Sequence, residues 1–159
     1  MLFFGYGSLI NESSLRKTVP SGKIVGSGYL PGFKRVFDFK SPYRHNPETG
    51  VFSSVLNLQE ADVTIAGALV EVSGKELDEL YERERGYERI ETKLLDGTTV
   101  STFISLDRTP YRYVEGDPIQ DEYLHICLAG TKNLGEQVHE NFLDTTWLNE
   151  MTVREYLSK

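Results

Sequence analysis

One carboxylate, that of Glu84, falls on the apolar face of a predicted helix that begins near residue 73. The residues three, four and seven positions before it are all apolar: Tyr81, Leu80 and Leu77. Burial and the negative end of the helix dipole should both raise the pKa of this carboxyl. A carboxyl that is partly protonated near neutral pH can both accept and donate a proton, as general acid–base catalysis requires. The spacing therefore indicates proton transfer as the chemistry of Glu84.

An ion pair would explain the same residue without any catalysis. Half-buried glutamates are usually paired with a basic side chain. Arg83, Arg85 and Arg89 all lie close to Glu84 in the sequence. On spacing alone the ion pair is the favoured interpretation, so a catalytic role needs support from another part of the chain.

A glycine-containing segment, residues 4–9, gives that support. Gly5 and Gly7 flank Tyr6 at the end of a predicted strand, so the backbone can turn tightly and expose successive N–H groups. With a helix predicted to follow Asn11, these N–H groups could bind a carboxylate or an oxyanion. A glycine-rich turn that only packs on the core would fit the same residues.

Better-known catalytic and cofactor motifs do not fit this segment. A dinucleotide-binding fingerprint would need glycine or alanine at position 10, which is Ile10. A serine nucleophile elbow would place Ser8 between glycines, but Leu9 and Ile10 follow it. Cys127 is the only cysteine, and the histidines are scattered, so we expect neither a metal site nor another cofactor. These histidines are His45, His125 and His139.

Predicted strands dominate the first two thirds of the chain. β-Branched and aromatic residues between turn residues predict strands at 2–6, 51–58, 63–72, 88–94 and 99–106, and two strands within 23–39 that break at residues 30–32. Gly67 indicates a bulge or a close backbone approach, and Asp96 with Gly97 predicts a hairpin turn. Residues 41–50 and 107–118 are predicted loops. Tyr111, Arg112 and Tyr113 in the second loop would either cover the site or be exposed.

Helices are predicted mainly in the last third. Asn11 is a plausible N-cap for a short helix at 12–17. The helix that carries Glu84 has a capping-box signature at its start, Ser73 and Glu76, and Gly86 at its end. Further helices are predicted at 119–127 and, as one or two segments, at 134–157.

The order of these elements predicts an α+β fold, a small mixed and mainly antiparallel β-barrel with flanking helices. A chain of 159 residues with 39% hydrophobic residues fits a single domain, 1–159. The net charge of -7 disfavours nucleic acid and anionic membranes as partners. A single cysteine, with no recognisable leader or apolar span, predicts a cytoplasmic protein.

Two segments resemble the γ-glutamylcyclotransferase-like family. Its signature after the first strand is Tyr-Gly-Ser followed by Leu or Asn, and here it reads Tyr6-Gly7-Ser8-Leu9. Its catalytic glutamate lies at the end of a helix, and here the chain reads Arg83-Glu84-Arg85-Gly86-Tyr87, one glycine shorter than in the glutathione-degrading branch. Residues 28–33, residues 63–72 and Tyr123 ahead of Gly130 are also similar to family segments, in the same order along the chain.

The resemblance implies an enzyme that releases 5-oxoproline and a free amine from a γ-glutamyl amino acid, peptide or amine, with glutathione among the candidates. It implies no cofactor, and we expect a monomer or weak homodimer. Glu84 would be the general acid and base, and the substrate-binding residues would be Tyr6, Gly7, Ser8, Leu9, Tyr87 and Tyr123. Two alternatives stay open: a non-catalytic domain that binds a small metabolite or peptide, and an amide hydrolase in which water attacks and glutamate is released.

Overall fold

A computed structural model describes residues 1–106, 112–113 and 115–159. Seven strands form one sheet in the order β4-β5-β1-β3-β2-β6-β7. Their bounds are β1 Leu2–Gly5, β2 Lys23–His45, β3 Phe52–Glu71, β4 Glu88–Lys93, β5 Thr99–Ile104, β6 Thr146–Leu148 and β7 Met151–Thr152. The helices are α1 Glu12–Arg16, α2 Leu77–Arg83, α3 Pro118–Leu134, α4 Glu136–Thr145 and α5 Val153–Leu157, with 3₁₀ turns at Ser8–Ile10 and Gly74–Glu76.

The sheet is mixed and mainly antiparallel, as predicted, but it is not a closed barrel. β1 pairs with β5 and β2 pairs with β6 in parallel, and the other neighbours are antiparallel. Among the described residues, no pairing joins the edge strands β4 and β7. The α+β class is therefore correct and the barrel prediction is not confirmed. None of the described helices is both long and apolar enough to cross a membrane.

Two long strands replace four of the predicted ones. β2 continues through the predicted break at 30–32, because a register shift between Pro31 and Phe33 absorbs Gly32, whose φ is 89°. β3 likewise continues through residues 59–62. The predicted loop at 41–50 is wrong in its first half, since β2 extends to His45 and pairs there with Phe52. Proline and glycine mark bulges in these strands and do not end them.

Gly67 in β3 is the close approach that the sequence indicated. A Cβ at this position would lie 2.4 Å from the carbonyl oxygen of Gly5 and 2.5 Å from the ring of Phe4. No side chain fits there without moving the backbone of β1. The contact fixes the end of β1, from which the segment with Tyr6 and Gly7 begins.

The helix that leads to Glu84 forms where it was predicted, but its predicted capping box does not. Ser73 makes no side-chain cap, and the carboxylate of Glu76 accepts instead from the backbone N–H of Ser21, 3.0 Å away. A partner 55 residues distant in sequence therefore replaces the local one. The short helix α1 does have its predicted cap, because Asn11 Oδ1 accepts from Ser14 N at 3.0 Å.

Helix α3 extends beyond its predicted end at residue 127. Asp117 caps its start, accepting from Ile119 N at 2.9 Å, and Pro118 occupies the first turn. Gly130 lies inside this helix and not in a turn. A Cβ at this position would come within 2.8 Å of Ile10. The glycine is needed for close packing against the 3₁₀ turn.

Helix α4 packs on β3, and part of the second predicted loop is described. Asn141 in α4 bonds to β3 in both directions, accepting from Ala66 N at 2.7 Å and donating to Thr64 O at 3.0 Å. Between α4 and α5 the chain forms β6 and β7, which the sequence did not predict. Residues 107–111 and 114 lie outside the described residues, and with them Tyr111. The next two residues of this predicted loop are described: Arg112 bonds to Glu150 at 3.1 Å, and Tyr113 packs on Phe37.

Candidate active site

A cavity of about 610 Å³ opens where the outer part of β2 meets the ends of α1 and α2 and the first half of α3. A second space of about 30 Å³ adjoins it, since Ser8, Glu84, Tyr87 and Tyr123 line both. We call the larger space the outer cavity and the smaller one the inner chamber. All seven residues predicted for the site line the inner chamber: Tyr6, Gly7, Ser8, Leu9, Glu84, Tyr87 and Tyr123. The fold thus brings the two segments singled out in the sequence to one place.

Glu84 is the C-cap residue of α2, and its side chain is 13% exposed. Burial raises the pKa of this carboxyl to about 7, while the nearby Arg83 guanidinium opposes that rise. Glu82, two residues earlier, is 70% exposed, as its place on the polar side of the helix predicts. At neutral pH the Glu84 carboxyl is therefore divided between its protonated and ionised forms.

Arg83 lies beside Glu84 but directs its terminal nitrogens elsewhere. Its Nη1 donates to Ser14 O at 2.7 Å and to Thr18 Oγ1 at 3.0 Å, and its Nη2 donates to Ser8 Oγ at 3.0 Å. The contact with Glu84 is a longer one, 3.8 Å from Nε to Oε1. Arg83 thus ties the end of α2 to the segment after β1, and only weakly compensates the charge of Glu84.

The other two arginines of the ion-pair hypothesis form no salt bridge with Glu84. Arg85 pairs with Glu82 at 3.9 Å on the surface. Arg89 donates to Ser101 Oγ at 3.1 Å. The ion-pair interpretation therefore accounts for only one loose contact of Glu84.

The backbone after β1 lines the inner chamber at Gly7, Ser8 and Leu9. In the 3₁₀ turn, the carbonyls of Gly7 and Ser8 accept from Ile10 N and Asn11 N, each at 3.1 Å. Within the described part of the chain, we find no acceptor for the N–H groups of Gly7, Ser8 and Leu9. Gly7 is required by space, because a Cβ there would lie 2.7 Å from the hydroxyl oxygen of Tyr123. An anionic or partly negative oxygen could bind at these donors.

The tyrosines of the inner chamber differ in what their hydroxyls can do. Tyr6 donates to Phe103 O at 2.6 Å, and Tyr87 donates to Leu56 O at 2.5 Å. Because both hydroxyl protons are donated within the protein, these two oxygens could only accept hydrogen bonds from a ligand. Tyr123 accepts from Leu56 N at 3.4 Å. Burial raises the pKa of all three phenols well above the usual value, so they stay neutral.

A fully buried arginine, Arg35, bonds to the backbone of the segment after β1. The sequence analysis did not identify it. Its Nε donates to Tyr6 O at 2.8 Å, Nη1 donates to Thr145 Oγ1 at 2.9 Å, and Nη2 donates to Ala66 O. Burial lowers the pKa of this guanidinium to about 9. The alternation of Arg35 with Phe37 in a strand was the available signal, since it places both on one face.

The described residues contain no group of three or more histidine, cysteine, aspartate or glutamate side chains that could hold a metal ion. The groups that the site does contain are a carboxyl with a raised pKa, backbone N–H groups for which no acceptor is found among the described residues, and neutral phenols.

Comparison with known structures finds this architecture elsewhere. A structure of gamma-glutamyl cyclotransferase matches with a TM-score of 0.67 and 20% identity over 89% of this chain and 83% of its own. An uncharacterized protein from Homo sapiens matches with a TM-score of 0.72 and 19% identity over 99% and 98%. YkqA from Bacillus subtilis matches with a TM-score of 0.67 and 19% identity over 96% of this chain, which spans 55% of that protein.

Sequence comparison adds no assignment. No family model matches the chain, and no curated protein matches its sequence. Identities near 20% establish shared architecture and leave the activity to be argued from the site. The chain therefore has the γ-glutamylcyclotransferase-like fold.

Proposed function

We propose that this protein is a γ-glutamylcyclotransferase-type enzyme that converts a γ-glutamyl compound to 5-oxoproline and a free amine. The observation that carries the proposal is the Glu84 carboxyl, buried with a pKa raised to about 7 in a chamber lined by backbone donors. A protein that only binds a ligand has no need of a carboxyl held at this pKa. The fold shared with gamma-glutamyl cyclotransferase supports the same proposal.

In this reaction the α-amine of the γ-glutamyl group attacks its own γ-carbonyl carbon. A new C–N bond closes the five-membered ring, and the C–N bond to the leaving amine breaks. The α-nitrogen loses two protons as the ammonium becomes the ring amide. Glu84 accepts the first and gives a proton to the departing nitrogen, and the second is balanced by the proton that the released amine takes up to become an ammonium. Because nucleophile and electrophile belong to one molecule, the protein has to orient the chain and move protons, and needs no covalent intermediate.

The inner chamber suits the polar end of such a substrate. Its volume of about 30 Å³ has room for one or two oxygen-sized groups. The N–H groups of Gly7, Ser8 and Leu9 would stabilise the α-carboxylate or the oxyanion that forms as the carbonyl is attacked. The acceptor oxygens of Tyr6 and Tyr87 would receive hydrogen bonds from the α-ammonium. The larger leaving group would then occupy the outer cavity.

The direct test is product analysis with a panel of γ-glutamyl amino acids, γ-glutamyl amines and glutathione. We expect 5-oxoproline and the free amine in equal amounts from at least one member of the panel. Release of glutamate in place of 5-oxoproline would make the protein an amide hydrolase. No turnover of any member, with binding retained, would leave a binding domain.

The pH dependence of kcat/KM should report the ionisation of Glu84. Glu84 must be ionised to accept the ammonium proton, so activity should fall about tenfold per pH unit below a pKa of about 7 and level off above it. The measurement is the initial rate of 5-oxoproline formation between pH 5 and pH 8. A rate that falls as the pH rises through 7 would show that the protonated form is the active one, which contradicts this role.

A further inference from the structure

Arg44 provides a cationic group in the outer cavity, on the side where the leaving group would lie. We propose that Arg44 binds a carboxylate of the leaving group, so that the substrates are γ-glutamyl amino acids or short peptides and not neutral or cationic γ-glutamyl amines. This inference rests on the proposed function and adds to it the chemical class of the leaving group.

The guanidinium of Arg44 lies over the ring of Tyr123, and no ion pair within the described residues holds it. Its central carbon lies 5.2 Å from the centroid of the Tyr123 ring. A cation–π contact of this kind uses none of the guanidinium N–H groups as donors to an oxygen, so these groups remain available. Two of these N–H groups match the two oxygens of a carboxylate. Since Tyr123 also lines the inner chamber, the stacked guanidinium is next to the place of reaction.

The other cations of the outer cavity are less suited to this role. Arg83 is engaged with Ser8, Ser14 and Thr18. Arg85 is 69% exposed and pairs with Glu82. Lys17 is exposed at the rim. Among the described residues that line this cavity, Arg44 is thus the half-buried cation without a bonded oxygen partner from the protein.

None of the four glutamates that line the outer cavity forms an ion pair with Arg44 among the described residues, and the one salt bridge of Glu84 is its contact with Arg83. Glu79 and Glu122 lie at the exposed rim. The carboxylate of Glu82 accepts from Tyr43 Oη at 3.2 Å and pairs with Arg85. A leaving group with an ammonium in the same place would face the positive charge of Arg44, and its binding would be opposed.

The backbone around Arg44 is fixed relative to Glu84. Ser41 Oγ accepts from the N–H groups of Tyr43 and Arg44, at 3.2 and 3.0 Å. The hydroxyl of Tyr43 donates to Glu82 O at 2.5 Å, which anchors this part of β2 on the last turn of α2. The contact between β2 and α2 therefore fixes the backbone on which both Arg44 and Glu84 stand. A residue that selects the leaving group has to be held in this way relative to the reacting bond.

The test compares two nearly isosteric substrates, γ-glutamyl-alanine and γ-glutamyl-alaninamide, which differ in the charge of the leaving group. The wild-type kcat/KM for 5-oxoproline formation should favour the acid by about tenfold or more, the usual size of a hydrogen bond to a charged group. In Arg44→Gln that ratio should fall close to one. Arg44→Lys keeps the charge but loses the paired donors, and should give an intermediate ratio.

Arg112→Gln is the matched control, because Arg112 is 64% exposed, pairs with Glu150 and lines neither space. It should keep the wild-type ratio. Equal turnover of acid and amide by the wild type, a preference for a γ-glutamyl diamine, or a ratio unchanged in Arg44→Gln would overturn the inference while the cyclisation stands. Absence of 5-oxoproline from both substrates and from every member of the γ-glutamyl panel would instead refute the proposed function.

Discussion

Replacing Glu84 with glutamine is expected to lower kcat/KM for 5-oxoproline formation by about 10²–10⁴-fold, the usual contribution of general acid–base catalysis. Glutamine fills the same volume and can still accept hydrogen bonds, but it cannot take the ammonium proton. The rate should be followed with the best substrate of the γ-glutamyl panel. Residual activity should also lose the pH dependence centred near 7, because the titrating group is gone.

The same variant should be more stable than the wild type at alkaline pH, which separates a chemical loss from a folding defect. The carboxyl titrates at about 7 in the folded state and near 4.5 when unfolded, so the folded protein binds more protons between these values. Wild-type stability is therefore lost as the pH rises from about 4.5 to about 7. Glu84→Gln lacks this cost and should gain up to about 3 kcal/mol above pH 7.

Thermal unfolding at pH 5 and pH 8 measures this difference, and the gap in Tm should be larger at pH 8. Glu88→Gln is the matched control, since Glu88 is exposed at the start of β4 and lines neither space. It should change neither rate nor Tm. Full activity in Glu84→Gln, or an equal loss in Glu88→Gln, would exclude the proposed role of Glu84.

Replacing Gly7 with alanine is expected to lower both stability and activity. The added Cβ would lie 2.7 Å from the hydroxyl oxygen of Tyr123, a buried ring that has little room to move. Overpacking of this kind costs about 1–3 kcal/mol. Any shift of Tyr123 or of the turn also displaces the N–H donors of the inner chamber, and losing one such donor lowers kcat by about 10²–10³-fold.

Tyr123→Phe provides the test of that cause. Removing the hydroxyl removes the atom that the new Cβ would meet. Gly7→Ala should lower the midpoint denaturant concentration of unfolding, and the double variant with Gly7→Ala and Tyr123→Phe should lower it by much less. Gly74→Ala is the control, since nothing lies within 4 Å of a Cβ at that position. If Gly7→Ala is as stable as wild type, or the double variant is no better than the single one, the close contact is not what requires glycine.

Local signals in the sequence were sufficient for several parts of this molecule. The helical spacing that ends at Glu84 predicted its burial, and the cap of α1 by Asn11 and the turn at Gly97 between β4 and β5 were also correct. These features depend on neighbours within a few residues. The fold class follows from the order of such elements, and the comparisons with solved structures agree with it.

The features that could not be predicted from the sequence depend on contacts between residues far apart along the chain. Arg35 bonds to Thr145, 110 positions away, and Glu76 is drawn from its local cap to Ser21. Gly130 has the residue type of a turn after a helix, and only the packing of Ile10 against it explains a glycine inside α3. The continuity of β2 past Gly32 likewise depends on pairing with β3 across a bulge, which no local preference encodes.

The outer part of the β2–β3 hairpin lines the outer cavity and extends beyond the inner chamber. Its tip, residues 46–50, closes on itself through the bonds of Asn46 with Val51 and Gly50. Substitutions and insertions at this tip leave the anchors of Glu84 and of the turn after β1 in place. The proposed site for the leaving group thus lies on the outer part of this hairpin, while the proposed reaction centre lies on the turn after β1 and the end of α2. We therefore expect that selectivity can be altered without rebuilding the proposed reaction centre.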